Sequence, residues 1–438
     1  MSEAADNSVN PHYLDHVVAT GRQYEVEASE DIMAGNGMKL LAKGARINAD
    51  VRDRLLQHKL SKPLEDCVQV VDGVVPARFG PIAEELMGQH ALLAALCTPK
   101  LAQQGLPQSL AKLRLSLPVQ SLLTVYSEYQ GDRLRHTVGV SLIAMALARH
   151  LLPGQVDHQR MLALAGLVHD VGELYIDPVY LRREETLSPE GWKHIVLHPV
   201  VGHRVLHKML GAGPAVAEAV LMHHERLDGF GYPYGIAAER LSLDGQILGV
   251  AEWLMALIES GLSPLERASV ATKLIPGEFS SELLEWVAAS AGASPGMQQA
   301  REAPAPLELA VPRLERLATL LARFGALRGW IDAHIAEAGP ELGQQLQSGA
   351  QRLLRIQRAF SSAGLDIAEP VVLLRQLAAV REPGMHLEVM LVLSELEWRL
   401  RELEREALLR GGLMGADDRA VMLEMVQRLT EGLGDAPV

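Results

Sequence analysis

The sequence contains very little cysteine. Among its 438 residues only Cys67 and Cys97 occur, and they lack the close spacing of a CxxC metal or redox motif. This excludes a disulfide framework and a cysteine-bound zinc site, and it favours the reducing environment of the cytoplasm.

Long apolar runs and a surplus of positive charge are also missing. The longest apolar stretches, such as residues 91–97, are far shorter than the roughly 20 residues that a membrane-spanning helix needs. The first residues lack the basic start and apolar core of a secretory signal. Against 54 Asp and Glu there are only 41 Lys and Arg, a net charge of -13, which disfavours nucleic-acid polymers and anionic membrane surfaces as partners. We therefore expect a cytoplasmic protein.

The N-terminal part, residues 1–80, predicts a small α+β module. Val26 and Ala28 alternate with glutamates, Gly35-Asn36-Gly37 supplies a turn, and residues 38–42 resume an extended run, which together indicate a hairpin. Asn48 is typical of a helix N-cap. A helical connector is expected over residues 81–117.

The rest of the chain predicts helices. Apolar residues recur three and four apart over 134–150, 160–169 and 190–210, within a helical segment spanning 118–290. Residues 291–306 contain three prolines and two glycines without apolar periodicity, which predicts a linker. Residues 307–438 are helical again, and four leucines there favour a bundle seam over a dimerising coiled coil. These leucines are Leu393, Leu396, Leu400 and Leu403.

Histidine is concentrated in one part of the chain. Ten of the 16 histidines lie between His136 and His224, where even spreading would place about three. His169 and Asp170 end an apolar helix and offer an imidazole and a carboxylate side by side, a combination suited to divalent metals. Taken singly, such residues are more often helix caps or solvated side chains, so the hypothesis depends on several segments converging.

Five segments in order resemble the HD-GYP family, bacterial metal-dependent phosphohydrolases that degrade cyclic di-GMP. The similarity spans about residues 118–290, and its most specific part is the HHERLDGFGYP run. The five segments are RHTVGV (135–140), LVHDVGE (167–173), LHPVVGHRVL (197–206), HHERLDGFGYPYG (223–235) and ILGVAEWLMAL (247–257). The resemblance implies an all-helical HD-type core. Together with the small strand-containing N-terminal domain and the helical C-terminal domain predicted from the residue patterns, this makes the expected fold mainly α.

The resemblance also implies the site residues. Asp170 and His169 would be catalytic, with Asp170 bridging two ions, and Gly231, Tyr232 and Pro233 would lie beside the substrate. Arg226 is a further candidate for binding the substrate. The implied metal ligands are His136, His169, Asp170, His198, His223, His224 and Glu252, the last in place of the family's usual aspartate.

The implied activity is a phosphodiesterase with two divalent transition ions, iron, manganese, nickel or zinc. These would acidify a water to hydroxide, which would open cyclic di-GMP to pGpG, with further cleavage to GMP left open. Two departures support an alternative, a weak or inactive cyclic di-GMP receptor or interaction module. Glu173 stands where the family commonly has a phosphate-holding lysine, and Gln246 where an arginine is frequent.

Other features of the sequence leave alternatives open. Asp132 occupies the slot of an additional glutamate in three-metal members, so a third ion stays open. His194 lies four residues before His198 on one helical face, and His203 and His207 repeat that spacing, so one of these three could be a ligand. Solvent-facing or supporting roles are the favoured interpretation for all three. Asp228 suits a turn as well as a ligand. The C-terminal helices suit a homodimer or a protein partner.

Overall fold

The structure, a computed structural model, describes residues 7–98, 104–129, 131–181, 188–261, 263–274, 277–302, 310–360 and 383–430. The chain forms two compact units. The first contains the described residues up to 181 together with 194–261, and the second contains 188–193 and those from 263 onward. Helices predominate in both, which confirms the expected mainly α class.

The N-terminal module of the first unit contains two small antiparallel pairs. Strand β1 (Val26–Ala28) pairs with β4 (Val68–Val70), and β2 (Ile32–Met33) pairs with β3 (Lys39–Leu41). The predicted turn at 35–37 is present, but the strand before it is β2, so the predicted pairing of residues 24–28 with 38–42 is wrong. A tight turn joins the residues directly flanking it, while Val26 and Val70 are buried opposite each other.

Helices complete the N-terminal module and the connector. Asn10 caps the first helix by accepting hydrogen bonds from the backbone N–H groups of His12 and Tyr13, and Asn48 caps the second as predicted. The helices are α1 (Pro11–Thr20), α2 (Ala49–Leu56), α3 (Leu64–Cys67), α4 (Phe79–Gln89), α5 (Ala91–Cys97) and α6 (Leu106–Leu110). Residues 99–103 of the predicted connector lie outside the described residues.

The helical core follows. Its helices are α7 (Leu117–Tyr129), α8 (Arg133–Leu151), α9 (Val156–Val168), α11 (His198–His207), α12 (Gly213–Met222) and α13 (Leu243–Glu259). Helix α10 (Pro189–Ile195) precedes α11, and most of it belongs to the second unit. A short connection makes α8 and α9 an antiparallel pair, and the backbone of Ser141 lies close to Gly166 at their contact. The end of α9 therefore lies beside the start of α8.

The predicted helix over 190–210 is interrupted. Helix α10 ends at Ile195 and α11 begins at His198. Pro199 explains the break, because proline lacks the N–H that an uninterrupted helix would need and restricts the residue before it. Ser188 caps α10 as expected, its hydroxyl accepting a hydrogen bond from the N–H of Gly191 at 3.1 Å.

The second unit is helical in the residues described. Within the predicted linker at 291–306, residues 295–302 form a helix, because the Ser294 hydroxyl accepts from the N–H of Met297 and Pro295 suits the first helical position. Residues 303–306 lie outside the described residues. The helices of this unit, apart from α10, are Pro264–Ser269, Ala271–Leu274, Ser281–Gly292, Pro295–Glu302, Ala310–Ile335, Pro340–Phe360, Pro383–Gly411 and Ala416–Thr430.

Two further observations concern this unit. Residues 263–290, which the sequence analysis assigns to the core, group with the second unit. Leu393, Leu400 and Leu403 are buried, as a bundle seam requires, while the Leu396 side chain lies outside the described residues. Across the described ranges, no helix combines the length and apolarity needed to cross a membrane.

Candidate metal centre

The predicted ligands of the first unit stand mainly at helix ends. His136 lies in the first turn of α8, and His169 and Asp170 directly follow α9. His198 begins α11, while His223 and His224 directly follow α12. Glu252 projects from the middle of α13. Because helix ends carry unpaired backbone groups, they offer carbonyl oxygens that can orient nearby imidazoles.

The histidines form two pairs with the Asp170 carboxylate between them. The Nε2 atoms of His136 and His169 are 3.3 Å apart, and Oδ2 of Asp170 lies 3.9 and 3.2 Å from them. The Nε2 atoms of His198 and His223 are 3.2 Å apart, and Oδ1 lies 3.3 and 3.5 Å from them. Asp170 is only 7 % exposed. Each oxygen of this one buried carboxylate thus faces a different histidine pair.

Glu252 belongs to the first pair. Its Oε2 atom lies 3.3 Å from Nε2 of His136 and 3.2 Å from Nε2 of His169, so the longer glutamate side chain does reach the cluster. Among the described residues, this buried oxygen has no well-formed hydrogen bond. A buried carboxylate oxygen normally has a partner, and a cation between it and the two imidazoles would supply one.

Hydrogen bonds behind the histidines turn their Nε2 atoms inward. The Nδ1 atoms of His169, His198 and His223 lie 2.9, 2.8 and 2.6 Å from the carbonyl oxygens of Gly166, Ile195 and Val220. These contacts fix Nδ1 as the donor and leave Nε2 as the metal-binding atom, as is usual for histidines that bind metals.

His136 differs, because its Nδ1 atom lies 2.8 Å from Oε1 of Glu259. Sequence reasoning missed Glu259. The only available signal was its position seven residues, or about two helical turns, after Glu252 on α13.

His224 lies at the edge of the second pair and contacts the loop that follows it. Asp170, His198, His223 and His224 can together offer one ligand atom each within 4.8 Å of one another. The His224 ring also stacks on Tyr232, with ring centroids 4.5 Å apart. This contact connects the metal centre to the GYP segment.

Glu225, which sequence reasoning also missed, holds the GYP segment in place. Its two carboxylate oxygens accept hydrogen bonds from the backbone N–H groups of Tyr234 at 2.7 Å and Ile236 at 2.8 Å. The loop contains a cis peptide bond between Tyr232 and Pro233. At Gly231 a Cβ atom would lie 2.4 Å from the backbone nitrogen of Arg226, so a side chain cannot be accommodated there without movement of the chain.

A buried positive charge lies beside Asp170. Nη1 of Arg133 is 3.0 Å from Oε2 of Glu173 and 4.0 Å from Oδ2 of Asp170. The Tyr126 hydroxyl donates to Glu173 at 3.1 Å and accepts from Arg133 at 3.2 Å. Neither Arg133 nor Tyr126 was predicted. The clue was positional, since Arg133 precedes His136 by three residues on the same helical face.

His136 of the first pair and His223 of the second have opposite pKa shifts, while Asp170 raises the pKa of His198 against the effect of burial. Burial disfavours the charged form of His136, but the Glu252 carboxylate and a hydrogen bond with Glu259 outweigh burial and raise its pKa to about 10. Burial dominates at His223 and lowers its pKa to about 4. Burial and the charge of Asp170 raise the pKa of Glu173, against the attraction of Arg133.

Several other residues considered in the sequence analysis as ligands or substrate contacts have different surroundings in the structure. Nη1 of Arg226 donates to the carbonyl oxygens of His223 and Glu225, so this side chain braces the turn after α12. Asp132 is exposed and belongs to none of the potential ligand groups among the described residues. Asp228 accepts from the N–H of Phe230, as a turn residue does. The His194 ring stacks on Tyr180.

The residues of the centre fit divalent metal ions. Imidazole nitrogens and carboxylate oxygens of two groups, one including His136 and His169 and the other His198, His223 and His224, share Asp170. Mixed nitrogen and oxygen ligands of this kind suit transition metals better than calcium or magnesium. The buried free oxygen of Glu252 points to the same conclusion.

Comparison with known proteins agrees with this geometry. A family model described as an HD domain matches residues 119–275. A cyclic di-GMP phosphodiesterase of Pseudomonas aeruginosa is 38 % identical over 109 residues, covering 25 % of this chain and 26 % of the relative. One of Thermotoga maritima is 29 % identical over 177 residues, covering 38 % and 47 %.

A third relative, a 3′3′-cGAMP-specific phosphodiesterase of Vibrio cholerae, is 24 % identical over 209 residues, covering 46 % of this chain and 45 % of the relative. The chain thus matches between about a quarter and a half of the length of these curated relatives. The stretch matched by the HD domain model, residues 119–275, includes the whole histidine and carboxylate cluster, and the resemblance of the chain to the HD-GYP family is confirmed.

Proposed function

We propose that the protein is a metal-dependent phosphodiesterase that hydrolyses cyclic di-GMP to pGpG. The observation that carries this proposal is the placement of the two oxygens of Asp170 against two separate histidine pairs. A carboxylate shared in this way suits two neighbouring divalent ions, the arrangement used for in-line displacement at phosphorus.

The candidate ligands fall into two sets, one for each ion. His136, His169, Glu252 and one oxygen of Asp170 would hold one ion, and His198, His223 and His224 with the other oxygen would hold the second. Iron, manganese, nickel and zinc are all compatible with these ligands. Bound there, such ions supply positive charge to a phosphodiester and acidify water at neutral pH.

Other residues would position the substrate. His224 and Tyr232 are stacked at the edge of the centre, and Glu225 holds the loop that contains Gly231, Tyr232 and Pro233. A rigid aromatic edge of this kind suits a guanine base or ribose. Arg226 would act by bracing the turn, since its guanidinium donates to backbone carbonyls.

Arg133 offers a replacement for the positive charge that Glu173 does not provide. It lies within 4.0 Å of Asp170 while paired with Glu173, so a phosphate oxygen that reached the centre would find a buried guanidinium nearby. A guanidinium binds phosphate through charge-assisted hydrogen bonds.

The named activities of the relatives support a cyclic dinucleotide as the substrate. Two of them are cyclic di-GMP phosphodiesterases and one is specific for 3′3′-cGAMP. In either ligand, hydrolysis adds water to phosphorus while the bond from phosphorus to the ribose 3′ oxygen breaks, which leaves a 5′-phosphate and a 3′-hydroxyl. We propose cyclic di-GMP as the preferred substrate.

The test is turnover by the purified full chain. The protein is loaded in turn with Fe²⁺, Mn²⁺, Ni²⁺ or Zn²⁺ and incubated with cyclic di-GMP or 3′3′-cGAMP, and the products are separated by chromatography. We expect linear pGpG with at least one metal, and faster turnover of cyclic di-GMP than of 3′3′-cGAMP. Absence of linear product with every metal would reject the enzyme, and faster cleavage of 3′3′-cGAMP would reject the substrate.

A second candidate is a cyclic di-GMP receptor without turnover. The partly buried carboxylate of Glu173 favours it, because this carboxylate lies beside the region where a phosphate would bind and is paired there with Arg133 and the Tyr126 hydroxyl. Calorimetry on the same preparation separates the two functions. Binding of cyclic di-GMP with the intact ligand recovered afterwards would identify the receptor.

A further inference from the structure

A second group of potential metal ligands lies on the outer side of helices α11 and α12. His203 and His207 are one helical turn apart on α11, and Glu218 projects from α12. One ligand atom from each residue lies within 4.8 Å of the others. None of the three belongs to the groups around Asp170.

The distances fit a tetrahedral ion. Nε2 of His203 is 3.1 Å from Oε1 of Glu218, close to the ~3.3 Å between two donors that each lie about 2.0 Å from a tetrahedral zinc. The rings of His203 and His207 have centroids 5.1 Å apart, the spacing expected one helical turn apart. Two histidines and a glutamate form a known zinc ligand set that leaves the fourth position open to water.

The backbone beneath the group is rigidly packed. At Gly202, directly before His203, a Cβ atom would lie 3.1 Å from Cγ1 of Val220 on α12. Helices α11 and α12 therefore approach closely beneath the three donors.

A ring nitrogen of His207 provides a second, independent observation that points to a bound ion. Its Nδ1 atom is buried and has no hydrogen-bond partner in the part of the chain that the structure describes. This nitrogen is one of the two atoms through which the ring could bind a metal. A buried polar atom without a partner destabilises the fold, and coordination of a metal by that atom would relieve this cost.

We propose that His203, His207 and Glu218 form a zinc site separate from the centre around Asp170. The ion would clamp α11 to α12. His198 begins α11, and His223 and His224 directly follow α12, so the clamp would hold together the two helices that position one half of the principal centre. The proposal does not depend on the activity proposed above.

The experiment counts zinc bound by the full chain. Metal-free protein is titrated with zinc against a chromophoric chelator, and the bound zinc is counted at each free concentration. We expect the His203→Ala/His207→Ala double variant to bind one zinc fewer per chain than the wild type, and Glu218→Gln to weaken that same site by roughly 10-fold or more. An unchanged zinc count in the double variant, or unchanged affinity in Glu218→Gln, would overturn the proposal.

His158→Ala is the matched control. Nε2 of His158 lies 2.7 Å from Oδ1 of Asp244 in another partly exposed histidine–carboxylate pair, which belongs to no group of three ligands among the described residues. We expect its zinc count to equal that of the wild type, and an equal loss in this variant would refute a specific site. Circular dichroism verifies that the variants are folded. Because the readout is a zinc count, its failure leaves the proposed phosphodiesterase activity untouched.

Discussion

The two halves of the principal centre are built differently. The half around His136 and His169 contains Glu252 and is supported by Glu259. The attraction of these carboxylates for a proton on His136 exceeds the cost of burying that charge, so the pKa of His136 rises to about 10. In the half around His198 and His223, the nearest acid is Asp170, and the pKa of His223 falls to about 4. The two imidazoles thus differ because His136 has more carboxylate neighbours, while His223 is the more completely buried of the two.

This difference predicts unequal affinities for cations. The half with two carboxylate ligands offers more negative charge to an ion, while the other depends on neutral imidazoles and one oxygen of Asp170. We expect the first half to fill first as metal is added. We therefore expect the loss of turnover and of bound metal to be largest for a variant that affects both halves, smaller for one that affects a single half, and smallest for one that affects neither.

Asp170→Asn should have the largest effect, because it removes the charge shared by the two halves. We expect kcat for cyclic di-GMP to fall by about 1000-fold, equivalent to about 4 kcal/mol of transition-state stabilisation, and metal content to fall at both positions. Steady-state kinetics and elemental analysis measure the two effects. Retention of both ions with unchanged turnover would show that the halves function without a shared carboxylate.

Glu252→Gln should damage only the first half. The neutral amide keeps the shape but loses the charge that lies 3.3 and 3.2 Å from His136 and His169. We expect loss of about one metal ion per chain and a 10- to 100-fold fall in activity, the range seen when groups around a metal are altered. Equal loss from both halves, resolved by stepwise metal titration, would contradict the division.

Glu252→Asp is the companion variant, because it keeps the charge and shortens the side chain by one methylene. We expect it to retain more metal than Glu252→Gln. If the two variants lost metal equally, the reach of the side chain rather than its charge would be decisive.

Arg133→Ala tests the positive charge that lies outside both halves. Loss of the guanidinium beside Glu173 and Asp170 should raise KM for cyclic di-GMP about 10-fold with a smaller effect on kcat and no loss of metal. Arg135→Ala, on the same helix and paired with the exposed Glu85, is the control and should behave as the wild type. Loss of metal in Arg133→Ala would identify the residue as a support for the ligands rather than for the substrate.

The ligand set was predictable from the sequence because each member belongs to a short segment with a recognisable order. The six histidine and aspartate ligands and Glu252 all converge. Glu259, Arg133 and Tyr126 offered at most a positional clue, since their roles depend on which helix faces meet after folding, and the role of Glu225 depends on the path of the loop that it holds.

Errors in the fold prediction have similar physical causes. The strand partner of Val26 is more than 40 residues away at Val70, and sequence alternation carries no information about which distant strand will pair. Proline was misread twice. Pro199 divides a predicted helix, while Pro295 begins one inside a predicted linker, because the effect of proline depends on whether it lies at the first turn or beyond it.

A histidine outside the centre completes the comparison. The His16 ring packs against Tyr129 with centroids 4.3 Å apart, and its Nε2 atom is buried without a hydrogen-bond partner among the described residues. Burial lowers the pKa of His16 to about 4, only partly opposed by Asp15. It therefore resembles His223 more than His136.

Because the pKa of His16 is lower in the folded chain than its ordinary value of about 6.5, the unfolded chain binds the proton first as pH falls. The contribution of His16 to the free energy of unfolding should therefore be fully present above about pH 6.5 and should be lost as the pH falls toward 4. Allowing for the partial exposure of the ring, we expect about 1 to 2 kcal/mol of this loss to come from His16. Urea unfolding at pH 7 and pH 4.5 measures it, and His16→Phe, which cannot take up a proton, should show a correspondingly smaller difference between the two pH values. An equal difference in the variant would place the acid sensitivity elsewhere, in the histidines around Asp170.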